Sequence, residues 1–198
     1  PTPSYTLSGT SFSVAENGGT ATYTVVLGSQ PTAAVTVNIS SADATEIAVS
    51  PSSLSFSTSN YSVAQTVTMT GVNDNISDGN QSVVITNSIS SSDSDYSALD
   101  NQTVTAVNID DDTVAMTVSN LSTSSFREIA NSSVISTDNY TIVLGSQPSS
   151  DVTVNITSSD TTEVTVSPDN ITFSSGNYSI AQTIVVSAVH DDEDDGDC

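Results

Sequence analysis

Along most of the chain, apolar residues alternate with polar ones, and the apolar ones are largely β-branched. A period of two is the mark of strands that bury one face. After a lead-in rich in Pro and Ser (residues 1–10), which includes a short edge strand at Tyr5-Thr6-Leu7, a strand is expected over residues 11–16. Asn17-Gly18-Gly19 reads as a turn that needs positive φ. Residues 20–27 alternate again, with Tyr23, Val25 and Leu27 on one face, until Gly28-Ser29-Gln30-Pro31 ends the run. Val35, Val37 and Ile39 line the next strand. Short strands follow at 47–49 and 54–56, a clear one at 65–72, another at 83–85 and a last one at 103–109, with a Ser/Asp-rich loop at 90–95. No stretch has a helical period. A series of about seven or eight short strands with regular turn signals predicts an all-β fold, an antiparallel β-sandwich of immunoglobulin-like type.

The same pattern then returns. Tyr23 to Gly79 aligns without a gap to Tyr140 to Gly196, and more than half of the positions are identical. Leu27-Gly28-Ser29-Gln30-Pro31 recurs as Leu144-Gly145-Ser146-Gln147-Pro148, and Asn60-Tyr61-Ser62 as Asn177-Tyr178-Ser179. Near-identity at a fixed spacing marks a tandem array in which each unit contacts mainly its neighbours. The expected domains are 1–112 and 113–198. In this alignment Cys198 falls opposite Gln81, so the second copy has no counterpart of the strands at 83–85 and 103–109. A sandwich without them exposes apolar faces and unpaired backbone edges. Either the array continues, or a strand from a neighbouring molecule completes the unit by β-addition.

Composition changes the picture in one direction. There are 23 acidic side chains against a single Lys or Arg, which is Arg127, for a formal net charge of −22. Nothing here neutralises phosphates, so nucleic acid and anionic membrane surfaces are excluded as partners. No run is long and apolar enough to insert in a membrane. Cys198 is the only cysteine, so an internal disulfide and a thiolate metal site are both ruled out. The absence of Lys also excludes Lys–Asn isopeptide crosslinks. His190 is the only histidine, which leaves no Ser-His-Asp triad and no zinc site to assemble. Paired carboxylates could in principle cleave glycosides, but here they cluster at a domain end, and no Trp is present to stack on a sugar. The chain therefore reads as non-enzymatic.

The acids are not scattered. Asn108-Ile109-Asp110-Asp111-Asp112 closes the first unit, and Asn73-Asp74-Asn75-Ile76-Ser77-Asp78-Gly79 follows the strand at 65–72. Adjacent carboxylates repel one another, so either water around a solvated acidic linker or a hard cation bound by several oxygens takes up the charge. Together with Val14-Ala15-Glu16-Asn17-Gly18-Gly19, these stretches resemble the Calx-β family of calcium-binding β-sandwich modules. The likeness spans about 11–112 and again 113–198 without the end. It implies Ca2+ at one end of the sandwich, with Glu16, Asp74, Asp78, Asp110, Asp111 and Asp112 as ligands in the first copy. A further carboxylate after the third strand is usual in that family, and Asp43 or Glu46 could fill that place. In the second copy Ala130 replaces Glu16, with Glu128 nearby, while the loop gains acids at Asp191, Asp192, Glu193, Asp194, Asp195 and Asp197. Asn73, Asn75 and Gln81 stand where acids are common in the family, which implies fewer ions or weaker binding.

Eleven Asn-X-Ser/Thr sequons, from Asn38 to Asn177, either arise by chance in a Ser/Thr-rich chain or carry N-linked glycans on an exported protein. These features together predict an extracellular or cell-surface adhesive or matrix repeat. Its partners would be neighbouring repeats or identical subunits, and calcium would rigidify the domain junctions. The alternatives are a self-assembling filament subunit finished by strand exchange, a calcium-sensing regulatory module, and a carbohydrate-binding module.

Overall fold

The computed structural model describes residues 2–121 and 136–189. Contacts divide the chain into two units, Pro1–Asp74 with Asp78–Asp111 and Asn75–Ser77 with Asp112–Cys198. Among the described residues nearly everything regular is strand, and the fold is an all-β sandwich.

The first unit has two sheets. One contains β1 (Tyr5–Leu7), β3 (Thr20–Leu27), β7 (Gln65–Gly71) and β5 (Ile47–Ser50), in the order β1-β3-β7-β5. The other contains β2 (Ser11–Ala15), β9 (Gln102–Ile109), β8 (Gln81–Ser91), β4 (Val35–Ser41) and β6 (Ser53–Phe56), in the order β2-β9-β8-β4-β6. Alternate residues of each strand point inward, as the pleat requires. They form a single core in which Val25, Val35, Val37, Ile47, Val67, Met69, Ile85, Val104 and Ala106 are fully buried.

Two features differ from the sequence reading. First, β2 pairs with β9 in parallel, Ser11↔Thr105 through Ala15↔Ile109, so the sandwich is not purely antiparallel. Second, the strand expected at 83–85 runs to Ser91 and is followed by one helical turn, α1 (Ser94–Ser97), where a loop was expected. The alternation of Val83 and Ile85 continues inward at position 87, but that position is Asn, which ends the apolar run. The helical turn is too short to show a period. Asp93 creates it: one carboxylate oxygen accepts from the amides of Asp95 and Tyr96 at 3.0 and 3.4 Å, which caps the turn. The other oxygen accepts from the amide and hydroxyl of Thr32 at 2.7 and 2.8 Å. These bonds hold the Asp93 pKa below its ordinary value.

The buried Asn87 is a polar pin through the core. Its Oδ1 accepts from the Tyr23 hydroxyl at 2.7 Å, and its backbone carbonyl accepts from the Tyr5 hydroxyl at 2.8 Å. Burial pushes the Tyr23 phenol up to about 12, partly opposed by that bond to Asn87. Replacing Asn87 by Ala leaves the Tyr23 hydroxyl buried without its acceptor. The expected loss is about 1–3 kcal/mol in the first unit, read as a lower urea midpoint. The double variant Tyr23→Phe/Asn87→Ala should recover part of it.

The second unit repeats the layout with fewer described strands. One sheet runs β10-β11-β15-β13, from β10 (Met116–Val118), β11 (Thr137–Leu144), β15 (Gln182–Ala188) and β13 (Val164–Ser167). The other is the pair β12 (Val152–Asn155) and β14 (Asn170–Phe173). Its core is Ile142, Ile171, Phe173 and Ile184. The duplicated motifs make duplicated bonds. Asn60 Oδ1 accepts from the Ser57 amide and Asn177 Oδ1 from the Ser174 amide, both at 2.5 Å. Asp43 and Asp160 each accept from the amide two residues on, Thr45 and Thr162, at 2.9 Å.

Candidate metal centre

The parallel β2–β9 pair explains how acids far apart in sequence meet. Both strands leave the sheet at the same pole, so the residue after Ala15 and the residue after Ile109 emerge side by side. These residues are Glu16 and Asp110. The Glu16 amide extends the ladder by donating to the Ile109 carbonyl at 3.0 Å. Beyond Glu16 the chain turns at once: the Gly19 amide donates to the Ala15 carbonyl at 2.8 Å, and Gly18 adopts φ +89°. The end of β7 comes to the same pole. At Gly71 a Cβ would stand 2.3 Å from the Ala15 carbonyl oxygen and 2.6 Å from Asn108 Oδ1, so only glycine permits this approach. A glycine inside a strand flags such close approach, and that signal could have marked Gly71 from sequence.

One carboxylate oxygen from each of Glu16, Asp110 and Asp112 lies within 4.8 Å of the others, and this is the one such trio among the described residues. Glu16 is buried, only 4% exposed, and Asp110 and Asp112 are half-buried. At this spacing two like charges near a protein surface repel by about 3–4 kcal/mol. The Asp74 amide donates to Glu16 Oε1 at 2.8 Å and lowers its pKa. Burial and the negative charges of Asp74 and Asp110 act the other way, and the balance leaves the Glu16 carboxyl above its ordinary value. The trio fits a hard divalent ion. Calcium takes six to eight oxygens at about 2.3–2.6 Å, so two ligand oxygens on one ion are at most about 5 Å apart. Glu16, Asp110 and Asp112 would hold such an ion, which would offset their mutual repulsion.

The other residues singled out in the first unit take different places around this pole. Asp110 Oδ2 accepts from the Gly79 amide at 2.7 Å, and the Asp110 amide donates to Asn80 Oδ1 at 3.1 Å. The loop before β8 is thereby tied to the closing acids. Asp111 Oδ2 accepts from Asn17 Nδ2 at 3.1 Å, its amide hydrogen-bonds the Glu16 carboxylate, and its own carboxylate is not one of the trio. Asp74 meets Glu16 through its amide, and Asp78 accepts from Gln81 through its backbone carbonyl at 3.3 Å. Of the two residues considered for a further carboxylate, Asp43 is committed to its own turn with Thr45. Glu46 Oε2 accepts from Asn108 Nδ2 at 3.1 Å, and the same amide nitrogen donates to the Val72 carbonyl at 3.2 Å. Asn108 was not among the sequence candidates, yet it is 1% exposed and its Oδ1 has no hydrogen-bond partner. It continues the inward row of Val104 and Ala106 into the acidic pole. Asp191, Asp192, Asp194 and Asp195, with Glu128, Ala130, His190 and Cys198, lie outside the described residues.

No protein-family model and no curated protein matches the chain. Solved structures similar to it include the calcium-binding domain CBD12 of CALX1.1, 16% identical over 92% of this chain and 74% of that one, with a TM-score of 0.42. Another is the E. coli chaperone DraB, 9% identical over 98% of this chain and 89% of that one, TM-score 0.41. A third is SSP-19, an MSP-domain-like protein of Caenorhabditis elegans, 16% identical over 51% of this chain and 92% of that one, TM-score 0.34. Among the described residues no helix is long and apolar enough to cross a membrane.

Proposed function

We propose that this chain is a calcium-binding β-sandwich repeat with a mechanical rather than a catalytic task, serving as a structural or adhesive module of an extracellular or cell-surface protein. The observation that supports this reading best is the carboxylate trio of Glu16, Asp110 and Asp112, whose oxygen-only donor set and spacing suit calcium. Asp112 is followed directly in the chain by the residues that open the second repeat. An ion held there would restrain the backbone torsions between Asp110 and Asp112 and so rigidify the junction. The resemblance to Calx-β modules in the order of the acidic stretches points to the same ion. The duplication suits a repetitive protein.

Small-angle scattering of the chain in calcium and in chelator tests the joint. Calcium is expected to narrow the distribution of end-to-end distances, and Asp112→Asn to leave it broad in both conditions. Equal distributions in calcium and chelator would remove the mechanical role.

A further inference from the structure

The turn between β2 and β3 carries a reactive pair that ion binding leaves unused. Asn17 is the one asparagine of the chain that is followed by glycine. A backbone nitrogen that follows asparagine can attack that asparagine's side-chain amide carbon and close a succinimide ring. A Cβ on the following residue obstructs the approach, and glycine has none. Asn17 and Gly18 are both exposed, and no atom stands within 4 Å of the place a Gly18 Cβ would take. Water reaches the turn from that open side. The fold, however, holds both reacting groups. The Gly18 amide donates to the Glu16 carbonyl at 2.6 Å, which commits its nitrogen to the tight turn. Asn17 Nδ2 donates to Asp111 Oδ2 at 3.1 Å, which ties the side-chain amide to the closing acids.

We propose that Asn17 is a site of spontaneous deamidation, restrained by these two hydrogen bonds and released when the turn opens. The Gly18 nitrogen bonds to Asn17 Cγ, the Cγ–Nδ2 bond breaks, and ammonia leaves with the amide proton. Water then adds to either carbonyl of the succinimide and opens it to aspartate or isoaspartate. The balance is water in and ammonia out, with no oxidant, enzyme or cofactor. The product changes the acidic pole. Where Nδ2 donated to Asp111, a carboxylate now stands, and at that spacing like charges repel. Isoaspartate also lengthens the main chain by one methylene, inside a turn closed by the Gly19 amide and the Ala15 carbonyl at 2.8 Å. Each converted molecule thus carries one more negative charge beside Glu16, and the change does not reverse. The inference does not depend on an ion at the carboxylate trio.

The test incubates the full chain in chelator at mildly alkaline pH, beside a peptide with the sequence of residues 11–24. Conversion is followed by fragment-ion mass spectrometry, which places the amide-to-acid change on a residue. Asn17 should convert ahead of every other asparagine of the chain, yet about tenfold more slowly than in the peptide. Asp111→Ala, checked for folding by circular dichroism, should speed the reaction about fivefold. Enough urea to unfold the parent should raise its rate to that of the peptide, a measurement that does not need the variant. Asn17→Asp installs one product directly and should melt roughly 4–8 °C below the parent in chelator. An Asn17 that stays intact long after the peptide has fully converted would overturn the proposal. So would conversion no faster than at the other exposed asparagines. A folded chain that reacts as fast as the peptide, or an Asp111→Ala rate equal to the parent's, would remove the restraint. An Asn17→Asp chain that melts with the parent would remove the effect on the pole.

Discussion

Calcium added to the chelated chain is expected to raise the melting temperature of the first unit by roughly 10–20 °C. That range follows from free calcium at about 100 times its dissociation constant, which stabilises the fold by about 2.7 kcal/mol per site, and from a shift of about 4–8 °C per kcal/mol in a domain of this size. Glu16→Gln separates the ion from mere loss of charge. The variant keeps the side-chain shape and removes one carboxylate from a buried cluster. Its chelated form should therefore melt at or above the parent's temperature, while its response to calcium disappears. A variant that loses stability in chelator but still responds fully to calcium would place the ion elsewhere. The pH dependence has a definite sign. In the ion-free chain the Glu16 pKa is raised, above an unfolded value of about 4.3. Between those two values the unfolded chain has lost its proton and the folded chain keeps it. Ion-free stability then falls as pH rises through that window. Calcium binds the carboxylate, so its stabilising effect should shrink as pH is lowered into the same window. Differential scanning fluorimetry at several pH values, with and without calcium, checks both signs.

How much of this was legible in the sequence follows from the kind of signal involved. Strands with clean alternation, such as β3, β4 and β7, were visible because side-chain period and burial coincide. The full length of β8 was not, because Asn87 and Ser91 satisfy inward or edge positions with hydrogen bonds rather than apolar bulk. The helical turn α1 depends on the Asp93 cap and on Thr32, which is distant in sequence and adds no local periodicity. At the acidic pole, the residue types and their order along the chain suggested an ion. Which carboxylates converge depended on the parallel pairing of β2 with β9, which neither strand's pattern encodes. The pairing brings Glu16 beside Asp110, while the Asp111 carboxylate bonds Asn17 instead. Asn108 and Gly71 act through close approach of backbone and amide, for which a single glycine in a strand was the one sequence clue.

Phe56→Ala is expected to cost the first unit about 3–5 kcal/mol, the usual range for emptying a buried aromatic site. Phe56 is 1% exposed at the end of β6, opposite Val35, and belongs to the core that also holds Tyr23, Ile85 and Met69. Its counterpart Phe173 is fully buried in the smaller core of the second unit. The duplication provides an internal control, because the same substitution can be made at matched positions in two different cores. Calorimetry should resolve two transitions, with Phe56→Ala lowering one and Phe173→Ala the other. A domain of this size has a total stability of the order of 5–15 kcal/mol, so the Phe56 loss is a large share of it and the affected transition should move by well over 10 °C. Calcium should partly restore the Phe56→Ala unit, because ligand linkage adds to whatever folding free energy remains. Its effect on the transition lowered by Phe173→Ala should be smaller, because two of the three ligands, Glu16 and Asp110, belong to the first unit and only Asp112 to the second. If either substitution moved both transitions together, the two units would melt as one cooperative body, and the independence expected of tandem repeats would fail for this pair.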